Sequence, residues 1–220
     1  MPSTLARILP SVALVLLVAA RAASAQGGQA PPAGEAEPEA VFGGRVEVSP
    51  FAGFQFGGSV SSTGSGRRVE LGSGFAWGGT VDIAVAPGWR IELLYSRQET
   101  ELQNRFDGEL VQLGVERYMA GIQEEQGDGR TRFIGVFLLG ATRFAPGLDG
   151  YDSDVRFSGA VSLGIKHFVT PRLGLRAEAR GFYVDVNGGA GLICAGGCLF
   201  VFNGDGLWQG DVTGGITLAF

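Results

Sequence analysis

The chain has 220 residues, a formal net charge of −5, 45% hydrophobic residues and 18% charged ones. An acidic balance with no basic patch excludes nucleic acid as an expected partner. Thirty-eight residues are glycine, more than twice the usual share of about 7%, but the regular alternation of apolar residues around them excludes a low-complexity chain.

Arg7 precedes an apolar run over residues 8–20, and Ala23, Ser24 and Ala25 form an A-x-A-like cleavage site. Residues 1–25 therefore read as a secretory signal peptide, to be set aside from fold reasoning. No cysteine lies near the cleavage site, which argues against a lipid-anchored N-terminus. Residues 26–42 carry Pro, Gly and Glu with few large apolar side chains and read as a flexible periplasmic leader. Residues 43–220 suit one all-β domain.

Residues 45–57 open that domain, with Val46, Val48, Phe54 and Phe56 on one parity and Glu47, Ser49, Gly53 and Gln55 on the other. Residues 59–73 read as a Ser/Gly-rich loop. A second strand alternates Phe75, Trp77, Val81, Ile83 and Val85 with Ala76, Gly78, Thr80, Asp82 and Ala84, and ends at Pro87-Gly88. The third sends Ile91, Leu93 and Tyr95 outward and Arg90, Glu92, Ser96 and Gln98 inward. In the fourth, Val111, Leu113 and Val115 form the outward set and Gln112, Gly114 and Glu116 the inward one.

After the turn at Gly127-Asp128-Gly129, residues 131–145 are apolar on both parities, so the strand is expected without an assignment of its faces. The sixth strand alternates Val161, Leu163 and Ile165 with Ala160, Ser162, Gly164 and Lys166, ending at Pro171. The seventh sets Leu173, Leu175, Ala177, Ala179 and Tyr183 against Arg176, Glu178 and Arg180. A long loop over residues 187–206 leads to the last strand, where Trp208, Val212, Ile216, Leu218 and Phe220 oppose Gln209, Asp211, Thr213 and Thr217. At about 3.3 Å per residue and a tilt near 45°, that strand rises about 30 Å, the depth of a bilayer core.

No stretch after residue 25 is long and apolar enough for a membrane helix; the longest apolar run, residues 133–141, has the length of a membrane-spanning strand. A chain that crosses hydrocarbon with strands must close them into a barrel, because an open edge finds no partner there. About eight strands joined by alternating short and long connections predict an all-β, eight-stranded antiparallel up-and-down transmembrane β-barrel.

Two aromatic girdles follow from that connectivity: Trp89, Tyr118, Phe133, Phe168 and Phe220 beside the short turns, and Phe56, Trp77, Phe144, Phe157, Tyr183 and Trp208 beside the long loops. A soluble lipocalin-like carrier would show the same alternation with its faces reversed. The girdles, the signal peptide and the final Phe220 decide for the membrane.

The polar faces gather Glu47, Asp82, Arg90, Glu92, Glu116, Lys166, Arg176, Glu178, Arg180 and Asp211. A barrel of eight strands is filled by its own side chains, so these groups are expected to neutralise one another in an interior salt-bridge network. Cys194 and Cys198, separated by Ala-Gly-Gly and exported to an oxidising compartment, predict a disulfide within one loop. A metal would need two further ligands, and the chain's one histidine, His167, lies beside a short turn. Arg67 and Arg68, in the first long loop, could meet lipopolysaccharide phosphates, although solvated loop charge is the favoured account of them. Neither a phosphate-cradling motif nor a nucleophile elbow is visible, and no catalytic residue, metal or cofactor is expected.

The Phe51-Ala-Gly-Phe-Gln-Phe-Gly57 opening, the Gly-Val-Glu-Arg-Tyr run at 114–118, the Pro171-Arg-Leu-Gly-Leu-Arg176 turn and the Phe220 terminus together resemble the small outer-membrane β-barrel family, of the OmpA-type transmembrane domain and OmpX-like kind. The resemblance covers residues 46–220. It implies residence in the bacterial outer membrane, recognition of the C-terminal strand by the barrel-assembly machinery, contact with outer-membrane lipid and lipopolysaccharide, and a monomer. The function it implies is structural or surface-binding through the long loops. A narrow porin-like channel is the alternative, followed by a lipid-modifying enzyme and the soluble carrier.

Overall fold

The computed structural model describes residues 43–220 apart from 62–67, 71, 104–109, 128, 147–152, 186–190, 195–197 and 202–205, and it describes no side chains in 59–71, 101–111, 146–152 and 186–205. The expected signal peptide, leader and Arg67 lie outside the described residues. Twelve strands are described: β1 (Val46–Phe56), β2 (Ser59–Ser61), β3 (Arg68–Glu70), β4 (Gly74–Ala86), β5 (Trp89–Gln103), β6 (Leu110–Gln126), β7 (Thr131–Pro146), β8 (Asp154–Phe168), β9 (Leu173–Val184), β10 (Gly191–Cys194), β11 (Cys198–Val201) and β12 (Leu207–Ala219).

Eight of them close into an antiparallel barrel in the order β1-β12-β9-β8-β7-β6-β5-β4, with β4 returning to β1. Backbone bonds exchanged between Val46 and Phe220 complete the seam at the chain's last residue. The remaining four form two small hairpins, β2 with β3 and β10 with β11. These stand within connections that the sequence reads as plain loops, because runs of three or four residues carry no periodicity of their own.

The turns explain the order. Pro87 and Gly88 join β4 to β5 in two residues, Gly88 taking φ +75° where only glycine is unstrained. Gly127 and Gly129 do the same between β6 and β7, at φ +118° and +72°. Between β8 and β9, the Thr170 hydroxyl accepts from the Leu173 backbone N–H at 3.0 Å. All three tight connections stand at one end of the barrel, and the longer ones stand at the other.

The outer face is apolar over most of its height. Phe54, Trp77, Ile83, Ile91, Leu93, Ile122, Phe137, Leu139, Val161, Leu163, Leu175, Val212 and Ile216 are all exposed there, far more than the scattered apolar surface of a soluble protein. Trp89, Phe133 and Phe220 ring the short-turn end, while Phe56, Trp77, Phe157, Tyr183 and Trp208 ring the long-loop end.

Three aromatics stand elsewhere than the sequence predicts. Tyr118 packs on Tyr95 with ring centroids 5.2 Å apart, and Tyr95 packs on Trp77, which places Tyr118 in the long-loop girdle. Phe168 and Phe144 point inward and are buried. Phe168 closes the floor of the interior under the Arg132 guanidinium, 5.3 Å from its ring.

The face of β6 is also the reverse of that expected. Leu113, Val115, Arg117, Met119 and Gln123 are buried inside, while Tyr118 and Ile122 are exposed outside. Glu116 therefore belongs to the outer face, not to the interior network. The misleading residues, 111–115, lie beyond the apolar band of the outer face, where the outward residues of β6 are Gln112, Gly114 and Glu116. β7 resolves with Ile134, Val136, Leu138, Thr142 and Phe144 inward and Phe133, Phe137 and Leu139 outward.

Candidate functional site

The barrel interior gathers most of the buried charge. Lys166, wholly buried on β8, donates to Glu47 and Asp82 at 2.8 Å each and to Glu125 at 2.9 Å. Arg176 on β9 bonds Glu92 at 2.7 Å, Asp82 at 2.9 Å and Glu178 at 2.8 Å, and also donates to the Thr80 hydroxyl. Arg180 meets Glu178 at 2.8 Å and lies 3.6 Å from Asp211. Arg90 bridges Glu47 and Glu125 at the short-turn end, and Arg132 adds a second cation to Glu125.

Strand alternation is what brings these residues together. Each barrel strand sends every second side chain inward, so residues far apart in sequence, such as Lys166 and Glu47, meet across the lumen. Among the described residues, Glu47, Asp82, Glu92, Glu125, Asp154, Glu178 and Asp211 face Arg90, Arg117, Arg132, Arg156, Lys166, Arg176 and Arg180 within the barrel wall, which is seven carboxylates against seven cations. Charge balance of this kind is what makes such burial tolerable.

Glu47, Asp82, Arg90, Glu92, Lys166, Arg176, Glu178, Arg180 and Asp211 are thus found together inside. The sequence reading missed Arg117, Glu125 and Arg132. Arg117 was hidden by the reversed face of β6; the clean alternation of Tyr118, Ala120 and Ile122 against Arg117, Met119 and Gln123 would have revealed it.

Beside the expected ionic network, the interior also holds apolar side chains. Phe51, Leu94, Met119, Val136, Leu138, Ala160 and Phe182 form one buried apolar cluster across the lumen. Cations flank it: Arg180 lies 4.4 Å from the Phe51 ring centre and Arg117 4.4 Å from that of Phe182. Beyond the cluster, Arg117 donates to the side-chain carbonyls of Gln55, at 3.0 Å, and Gln209. Several atoms here have no hydrogen-bond partner among the described residues, including Arg117 Nε, the amide nitrogens of Gln55 and Gln209, and both carboxylate oxygens of Asp211.

At the short-turn mouth a cavity of about 440 Å³ opens among Gly43, Arg45, Pro87, Trp89, Arg90 and Arg132. Above it lies the ionic network. On the outer face near the other end, Glu116 sits between Arg97 and Arg143, each 3.3 Å away.

His167 points outward at the short-turn rim, its Nδ1 2.8 Å from the Thr131 hydroxyl. Among the described residues no group of three or more His, Cys, Asp or Glu is placed to hold a metal ion. Cys194 and Cys198 face each other in the backbone register of β10 and β11, though their side chains lie outside those described.

No protein-family model matches the chain, and no curated protein does. Solved structures do. Neisserial surface protein A is 15% identical, with 80% of this chain and 97% of that one covered at a TM-score of 0.58. The outer membrane protein OprG from Pseudomonas aeruginosa is 14% identical, with 83% and 100% covered at 0.54. The chain has the closed, eight-stranded antiparallel fold of the small outer-membrane β-barrels.

Proposed function

We propose that the protein is an integral barrel of the bacterial outer membrane whose role is structural or surface-binding, exerted through the long loops and without catalysis. Its wall supplies the membrane anchor: an apolar outer face between two aromatic rings suits hydrocarbon and would be poorly solvated in water. The two solved relatives share this fold, which supports the placement. We read the loops as extracellular, the short turns as periplasmic, the protein as a monomer and its final strand as the one the barrel-assembly machinery receives.

The filled lumen carries the reading of function. Among the described residues, its ionic network and the apolar cluster behind it fill the lumen with protein side chains, which supports a barrel without a wide aqueous passage. A second reading, a narrow channel for small solutes, draws on the unpartnered polar atoms of Gln55, Arg117, Gln209 and Asp211, which would suit internal water. Planar-bilayer recordings separate the two. The parent protein is expected to give no resolved steps in molar potassium chloride, and stable unitary steps would replace the first reading by the second.

We also propose that Cys194 and Cys198 form a disulfide tying the β10–β11 hairpin. Native protein should then take up thiol reagent only after reduction, with two labels per chain. Labelling of unreduced protein would contradict the pairing.

A further inference from the structure

The outer face carries one group of charged residues at a height where most of the wall is apolar. Arg97 on β5, Glu116 on β6 and Arg143 on β7 are direct neighbours in register, and Trp77 on β4 extends the same rung. Below them the outward residues of these strands are Ile91, Leu93, Tyr95, Tyr118, Ile122, Phe133, Phe137 and Leu139, without an intervening charge until the short-turn rim. From Phe133 to Arg143 is ten residues, a rise of about 25 Å at ordinary strand pitch and tilt, which matches the apolar band of an outer-membrane barrel. The rung therefore stands at the upper edge of that band, with Trp77 in it and the Tyr95 and Tyr118 rings directly below.

The arginines are only partly satisfied there. Each reaches one oxygen of Glu116 at 3.3 Å, a long contact, while the Tyr118 hydroxyl donates to the same carboxylate at 3.3 Å. Glu116 is 12% exposed, whereas Arg97 and Arg143 are 39% and 46% exposed, so the carboxylate is enclosed and the guanidinium groups face out. Glu99 also meets Arg97 at 3.3 Å but is 78% exposed, the kind of pair that water weakens most. A planar guanidinium with unused donors prefers an oxyanion that can accept two bonds at once.

Resting on the membrane placement proposed above, we infer that Arg97 and Arg143 bind the phosphate of an outer-leaflet lipid headgroup, which competes with Glu116 for the two guanidinium groups. A phosphate set across the rung would meet both arginines while its acyl chains lie along the apolar wall below. This site belongs to the barrel wall.

The test uses the protein folded into vesicles of a phosphate-free lipid, digalactosyldiacylglycerol, containing a diphosphorylated glycolipid with a spin-labelled headgroup, or its dephosphorylated counterpart. Quenching of Trp77, read in a Trp89→Phe/Trp208→Phe background, reports occupancy beside Arg97. The phosphorylated lipid should half-saturate at about one-tenth the mole fraction of the other, the effect expected of charge-assisted bonds. Arg97→Gln with Arg143→Gln should erase that difference, and Glu116→Gln should leave it as large or larger, because an internal competitor for the arginines is gone.

Equal quenching by the two lipids, an undiminished difference in the double variant, or its loss in Glu116→Gln would overturn the site. Heat-shifted gel mobility read on the same samples keeps two failures apart. Protein that inserts but ignores phosphate refutes this site alone, while protein that never inserts refutes the membrane placement and the site together.

Discussion

Replacement of Arg176 by Ala is expected to lower the free energy of unfolding in lipid vesicles by about 3–5 kcal/mol, the cost of breaking a buried ion pair from one side. Arg176 bonds Glu92, Asp82 and Glu178 within 2.9 Å, and its own side chain is 2% exposed. Its removal leaves Glu92 without another ion-pair partner among the described residues, while Asp82 keeps Lys166 and Glu178 keeps Arg180. The urea midpoint reads the change. Arg143→Ala on the outer face supplies the contrast: its pair is long and its side chain 46% exposed, so a loss below about 1 kcal/mol is expected. If the two variants unfold at the same midpoint, the lumen network does not hold the barrel together as described.

Gly121→Val should prevent closure between β6 and β7, reducing the heat-modifiable, folded fraction about tenfold or more, as overpacking costs of about 1–3 kcal/mol or higher imply. Gly121 lies opposite Leu138 in the ladder. A Cβ there would run into the carbonyl oxygen of Phe137 and stand 2.8 Å from the Leu138 Cα. Both obstacles are backbone and can yield only if the strands part. Gly214→Val tests the explanation, because nothing lies within 4 Å of a Cβ at that outward position and its variant should fold like the parent. Equal folding of both variants would remove the steric account of Gly121.

Legibility in the sequence followed the surroundings of each strand. β5, β8, β9 and β12 separate cleanly into apolar and polar faces because their inward residues belong mostly to the ionic network: Arg90 and Glu92, Ser162 and Lys166, Arg176 through Arg180, and Gln209 through Thr213. β7 is ambiguous because Ile134, Val136 and Leu138 build the apolar part of the lumen while Phe133, Phe137 and Leu139 cover the outside. On β6, the visible alternation over residues 111–115 belongs to a stretch above the apolar band, and extending it downward exchanges Glu116 for Arg117. Phe168 and Phe144 illustrate the same limit, since an aromatic near a strand end can ring the exterior or cap the interior with equal sequence cost.

The sequence by itself determined the number of barrel strands, the turns at Pro87-Gly88 and Gly127-Asp128-Gly129, and the antiparallel connectivity, because turn chemistry and period-two alternation are local properties of the chain. Tertiary structure alone decided which parity of β6 and β7 faces the lumen, that seven apolar side chains cross it, that Glu125 and Arg132 join the ion pairs, and that Arg117 bonds Gln55 and Gln209. Those choices depend on which side chains fill the lumen across strands distant in the sequence, and alternation along one strand has no means of recording what stands opposite.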